Sequence, residues 1–311
     1  MTDHRHGERE RGLARLAYQT FEPYHLVAYF GPHVDDARKD LGVGWLGAYT
    51  GMRAAPLGPV PSAVVAASFF GFNPGAVDQA WARVLEHHTT DELNAARTRV
   101  VDTGLRSALG DLVSSPDLAR QAERMRALIC GADHAGRVLA AAYAALPWPT
   151  EPHLSLWHSS ALWREWRGDG HNAALVAHGV APLEALVLYD AGLRDQPPRA
   201  SAGRDRSMLQ PTRRWSDEEW LGTAMELADD GLVAVSGEVI TLTDQGATLR
   251  QRVEEATDDA AAQIWVGVDD ADEILAEFRP FAGAVIHAGI LPGTQNTNGT
   301  HNTKGTQGTQ G

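Results

Sequence analysis

Leu156 to His171 reads LWHSSALWREWRGDGH, and within these sixteen residues fall two imidazoles, two carboxylates, two guanidinium groups and three indoles. Helical spacing from about Leu154 places His158 and Glu165 seven apart on one face and sets Arg164 and Arg167 together on another. A helix stop at Gly168 would let Asp169 cap a second helix opening at His171, so that the polar groups converge on one helix corner. At such a corner Glu165 or His158 could take a proton and His171 or His25 return it, with Arg164 and Arg167 anchoring an anionic group. An N-terminal helix adds Glu22, His25 and Tyr29, while Trp157, Trp163 and Asp169 complete a pocket-like inventory of acids, bases, cations and aromatic walls. The same residues also suit a structural clamp of Arg–Glu pairs and a helix cap, and the sequence leaves both readings open. No His-x3-His or Cys-x2-Cys spacing supports a metal, and no phosphate-cradling glycine motif supports a nucleotide, so neither metal nor cofactor is expected.

The elements that must position these groups are mostly helices. Ser115 to Leu146 is an Ala/Leu/Arg helical pattern broken near Gly131 and Gly136, which predicts two helices. Ser216 with Glu219 three residues later forms a capping box, and Trp220, Ala224 and Leu227 then recur at helical spacing until Gly231. Leu232–Val235, a Ser236-Gly237 turn and Val239–Leu242 predict a hairpin, and Thr243 caps a helix from Asp244. Helix, two-stranded wing, helix is the order of a winged-helix module. A faint repeat, Ala37-x4-Gly42-Val43 against Ala174-x4-Gly179-Val180, suggests two helix-turn-helix halves.

The chain has 311 residues, 43% of them hydrophobic, which is ample for a sizeable core. The polar opening MTDHRHGERERG cannot serve as a secretion signal, and no eighteen-residue apolar run occurs, so a cytoplasmic, membrane-free protein is expected. Cys130, alone in an Ala/Leu/Ile setting, reads as a small buried hydrophobe. Residues 1–12 and the Gly/Thr/Gln/Asn tail 293–311 lack apolar anchors and read as disordered, and 194–213 as a mobile connector. The folded body divides at the Pro-rich joint before residue 150 into an N-terminal half, 13–149, and a winged-helix half, 150–292.

Forty acidic against 27 basic residues give a net charge of −13, which opposes a phosphate backbone unless the cations gather on one face. They do not gather on the helices that would read a groove: the helix before the wing opens Ser216-Asp217-Glu218-Glu219, and the wing tip carries Ser236, Gly237 and Glu238.

The stretch GLVAV…LTDQGATLR is similar to the wing and following helix of multidrug-resistance regulators. FEPYHLVAYF, RAAPLGPV, FFGFNP, LPWP, LWREWRGDGH and RRWSDEEW together resemble an uncharacterised actinobacterial helix-turn-helix family over nearly the whole body. Members of that family are often met near specialised-metabolite genes, and Trp166 stands here where its pattern has an imidazole. The fold expected is therefore mainly α with short β-hairpin wings, two helix-turn-helix halves packing as a pseudo-dimer around a pocket. The leading functional expectation is a small-molecule ligand or substrate, with acid/base catalysis in specialised metabolism or self-resistance as its extension. The alternatives are a DNA-binding transcriptional regulator and, third, a DNA-repair enzyme on tandem winged helices, DNA being a partner that charge disfavours.

Overall fold

The computed structural model of the chain describes residues 5–193 and 205–294. Ten helices precede the break: α1 (Glu8–His25), α2 (Pro32–Asp40), α3 (Trp45–Ala54), α4 (Ser62–Ser68), α5 (Pro74–Leu85), α6 (Thr90–Leu109), α7 (Pro116–Ile129), α8 (Val138–Ala144), α9 (Pro152–Ala177) and α10 (Pro182–Leu193). After it come α11 (Arg206–Arg213), α12 (Asp217–Asp229), the antiparallel pair β1 (Val233–Ser236) and β2 (Val239–Leu242), α13 (Asp244–Ala262) and α14 (Ala271–His287). No single described helix is long and apolar enough to cross a membrane.

Two larger cores organise these elements, with a small third cluster of Val34, Ala48, Met52 and Val100 holding α2 to α3 and α6. The larger is built from α1, α3–α8 and α14 around the first part of α9, from Leu154 to Trp166. The smaller is the winged module, where Trp220, Ala224 and Leu227 of α12 meet Val187 of α10, Val233 and Ile240 of the hairpin, and Val253 of α13. Helix α9 begins in the first core and ends in the second, with Ala174 and Leu175 packed among the winged-module residues. C-terminal α14 returns to the large body, against α1, α6 and α7. The described residues thus form one large helical body and one small module rather than two matching halves, and their only sheet is the single C-terminal hairpin, so the plural wings of the sequence reading reduce to one.

Local chemistry explains the module. Ser216 and Glu219 close a reciprocal capping box at the start of α12, and the Thr243 hydroxyl accepts from Gly246 N at the start of α13. Gly42, Gly179 and Gly231 all take left-handed φ, of +64°, +71° and +72°, and each helix they end closes with the same pair of backbone bonds, exemplified by Val43 N to Arg38 O and Val180 N to Leu175 O at 3.0 Å. The faint internal repeat is therefore a shared helix-stop motif.

Several expectations change. Helix α1 starts at Glu8, inside the segment 1–12 expected to be disordered, because its apolar residues Leu13, Ala14 and Ala17 join the large core. Residues 206–213 of the expected connector form α11, anchored by buried Leu209, while 194–204 and the tail from 295 onward lie outside the described residues. Cys130 is exposed at the end of α7, not buried. The largest change is α9: it does not stop at Gly168 but runs unbroken to Ala177, so there is no helix corner. Glycine costs a helix about 1 kcal/mol, and at Gly170 close packing offsets that cost. A Cβ there would lie 2.7 Å from Arg137 Nη1 and 3.3 Å from Ala260 Cβ of α13.

A pair of glycine substitutions tests this packing. A Cβ on Gly246 would overlap the Leu232 carbonyl, which is backbone and cannot give way, so Gly246→Ala should cost more than about 2 kcal/mol. Gly222, exposed on α12 with nothing within 4 Å of its would-be Cβ, should tolerate alanine or gain up to about 1 kcal/mol. Urea melts of the two variants should separate them in that order.

Candidate functional site

Glu165 lies on α9 where the helix is enclosed on all sides, and Arg53 of α3 meets it in a two-pronged bond, Nε to Oε1 at 2.8 Å and Nη2 to Oε2 at 2.7 Å. Their side chains are 1% and 8% exposed. Burial alone would raise the Glu165 carboxyl, but the Arg53 charge and hydrogen bonds, then Arg164, outweigh it and hold the group down to about 2. A carboxylate so held, with both oxygens occupied by one guanidinium, is a poor proton acceptor. The geometry replaces its expected role as general base with that of a structural anion. The third Arg53 nitrogen donates to Tyr49 Oη at 3.0 Å, and Tyr143 Oη donates to the Arg53 carbonyl while meeting Tyr29 Oη at 3.3 Å.

The other residues named from sequence radiate from α9 toward different neighbours. His158 packs edge-on to Trp148, with ring centres 4.6 Å apart, and burial followed by Arg97 and Arg126 lowers its pKa to about 4. His25 is stacked 6.4 Å from Trp157, whose indole donates to the His25 carbonyl, and burial with Arg164 lowers it to about 3. Trp163 packs on Phe21 at 5.3 Å. Arg167 is spent on Asp258 at 3.1 Å and lies over the Tyr18 ring at 4.4 Å. Asp169 does cap a helix, but not its own: its Oδ2 accepts from Leu139 N and Ala140 N, at 2.9 and 3.0 Å, at the start of α8. Burial, working against those two bonds, raises its carboxyl to about 6.

What remains open begins at Arg164, near the end of the stretch of α9 that fills the large core and just before the seam at which it passes to the small one. Burial lowers the Arg164 pKa, but the charges of Glu22 and Glu165 outweigh it and raise the group above its ordinary value, and 27% of its side chain is accessible. Glu22 approaches its Nε at 3.6 Å and Glu165 its Nη1 at 3.5 Å, distances that leave room for another acceptor. Half-buried His171 is nearby: the Thr257 hydroxyl donates to Val253 O at 2.7 Å, so His171 Nδ1 must be the donor to Thr257 Oγ1 at 2.9 Å. That bond fixes the tautomer with Nε2 as acceptor. Burial lowers the imidazole to about 4, despite Glu254, so it stays neutral near pH 7.

Sequence reasoning missed three residues here. Tyr18 of α1 is raised to about 12 by the charge of Glu22 and then by burial. Arg53 stood as the single charge in the apolar WLGAYTGMRA helix, a signal that a buried acid must meet it. Arg213, at the end of α11, stacks 4.6 Å over Phe72, and among the described residues no carboxylate pairs with it. Burial is the largest influence on Arg213 and lowers its pKa, Tyr49 opposes, and Arg53 and Arg164 lower it further. Three guanidinium groups thus share one neighbourhood with two carboxylates, Glu22 and Glu165. Among the described residues no three His, Cys, Asp or Glu come together as a metal site.

A family described as a helix-turn-helix family matches residues 14–292. No curated protein and no solved structure matches the chain.

Two outcomes follow from this geometry. Glu165→Gln leaves the Arg53 charge buried and unpaired and should cost about 3–5 kcal/mol, whereas Arg53→Met combined with Glu165→Leu should recover most of that loss in denaturant melts. The second concerns pH. His25, His158 and His171 have folded pKa values below the ordinary 6.5, so their contribution is complete above 6.5 and is lost as pH falls toward 4 and 3. Asp169, raised from 3.8 to about 6, acts in the opposite sense, favouring the fold below 3.8 and losing that as pH rises through 6, but three histidines outweigh one carboxyl. Stability should therefore fall steeply from pH 6.5 to 4.5, and His158→Asn should flatten that slope in melting curves.

Proposed function

The chain belongs to this helix-turn-helix family, and from that premise we propose that it is a small-molecule-binding member whose seam cleft holds an anion, and that it does not read DNA sequence. Arg164 carries the reading: it is a guanidinium deep in the protein with accessible surface and loosely placed acids, joined by Arg213 without a carboxylate. A buried cation in that state is stabilised by an anion that arrives with the ligand, and bidentate guanidinium geometry favours a carboxylate or phosphate. In this reading Arg164 and Arg213 replace the sequence-derived pair Arg164 and Arg167 as anchors. Neutral His171 offers an acceptor for the ligand's hydroxyl or amine, or a base if turnover occurs.

The outer face of α12, which occupies the recognition-helix position before the wing, speaks against a sequence reader. Its exposed residues are Asp217, Glu218, Glu219, Leu221, Gly222, Met225, Glu226 and Asp229. None of these side chains donates to a base edge, and five are carboxylates that repel phosphate. The competing reading, a transcriptional regulator, is compatible with the family and is separated by experiment.

Benzoate and inorganic phosphate, titrated at low ionic strength, should raise the melting temperature of the wild type, and Arg164→Met and Arg213→Met should each remove the shift while keeping helical circular dichroism. A random-sequence duplex and a genomic fragment library should both stay unretained at about 150 mM salt. Absence of any anion effect would overturn the binding reading. A footprinted operator would establish the regulator instead.

A further inference from the structure

Helices α4 and α5 and the start of α10 border an apolar hollow of about 550 Å³ that is open to solvent, lined by Ala63, Ala66, Ala67, Phe70, Phe72 and Pro182. Small-molecule sites commonly occupy 300–1,000 Å³ and combine apolar walls with a few directed polar groups. Here the small residues of α4 leave the space open, and Phe72 is the shared wall. The Phe72 ring borders the hollow, is stacked 5.2 Å from Tyr49, and carries the Arg213 guanidinium 4.6 Å from its centre. The connection is rigid, because Asn73 N donates to Arg213 O at 2.9 Å and the Trp215 indole donates to Gly71 O at 3.0 Å. An apolar hollow therefore adjoins a guanidinium that lacks a carboxylate among the described residues.

We propose that the ligand is an anionic amphiphile: a monocarboxylate whose head pairs with Arg213 and whose alkyl or aryl tail fills the hollow behind Phe72. This rests on the anion-binding reading and adds the tail. Charge complementarity selects this occupant over a neutral lipid or a second copy of the chain. The hollow's own carboxylate, Asp78, is engaged by the Ser62 hydroxyl. It repels a negative head from its position and directs the head toward Arg213. A second copy would bring a chain of net charge −13 against itself.

The test is calorimetry of the full chain with acetate, hexanoate, octanoate and decanoate, each below its micelle-forming concentration, and with decanol as the uncharged control. Affinity should rise about threefold per methylene until the hollow is full, and decanol should bind at least tenfold more weakly than decanoate. Ala67→Trp, placed at an exposed position so that folding is preserved, should flatten the chain-length dependence while leaving the inorganic phosphate shift intact, and Ala63→Trp should repeat the result. Arg213→Met should make decanoate bind no better than decanol. A flat chain-length series with benzoate still binding would overturn the tail and spare the anion reading. No binding by any carboxylate would overturn both. If Ala67→Trp instead converts a dimer to a monomer in sedimentation, the hollow is a contact between copies and the proposal falls.

Discussion

Arg53 and Glu165 face each other where neither can turn to water, and this fixes how the large body is assembled. Taking both charges out of solvent costs several kcal/mol each, so a buried pair of this kind adds little over well-packed apolar residues. What it imposes is register. Only one placement of α3 along α9 gives Glu165 both guanidinium prongs, and that placement carries Tyr49 with it, as the residue one turn before Arg53. Tyr143 is drawn to the Arg53 carbonyl and Tyr29 to Tyr143. The aromatic and cationic lining of the seam is thus a consequence of satisfying one pair of charges.

Helix α9 converts that local requirement into a global one. Its apolar side chains between Leu154 and Trp166 fill the large core, and those of Ala174 and Leu175 enter the small one. Between them, Arg167 to Asn172 span the gap between cores, where no apolar surface is available to cover. Polar side chains there are the expected outcome of position. Each is also used: Arg167 ties α13, Asp169 caps α8, His171 bonds Thr257 and Asn172 reaches Ser68 O. Density of functional-looking residues in a sequence can thus mark a boundary between cores, and the residues left with accessible surface, such as Arg164, then stand out from those fully consumed.

The parts of the fold governed by contiguous residues were legible in the sequence. The Ser216–Glu219 capping box, the Gly237 turn and the Thr243 cap each rest on bonds spanning a few positions, and the elements between them lie where those signals place them. Continuity of α9 was not legible, because a Gly-Asp-Gly triplet reads as a helix stop until Arg137 and Ala260 are known to press on Gly170. Helix α11 was hidden by Pro211 and its arginines, although Leu209 is buried. The candidate site was legible in half. Glu22 and Arg164 do meet, at 3.6 Å, but Arg53 and Arg213 come from α3 and α11, 99 positions before the start of α9 and 36 after its end. One signal was within reach: an arginine in an otherwise apolar helix demands a buried acid, and Glu165 stands between Trp163 and Trp166.

A helix-turn-helix scaffold with an acidic outer face raises the question of where its positive charge has gone. Duplex DNA needs cations on a convex surface that can follow phosphates over a helical turn. In this chain three guanidinium groups, those of Arg53, Arg164 and Arg213, are instead turned inward around Tyr49, while α12 presents Asp217, Glu218, Glu219, Glu226 and Asp229 to solvent. Enclosed charge acts over short range and only on what can enter, so the seam discriminates by size where a surface patch would not. In the proposed reading a carboxylate or phosphate on a small molecule suits that arrangement, while the outer carboxylates of α12 oppose a duplex.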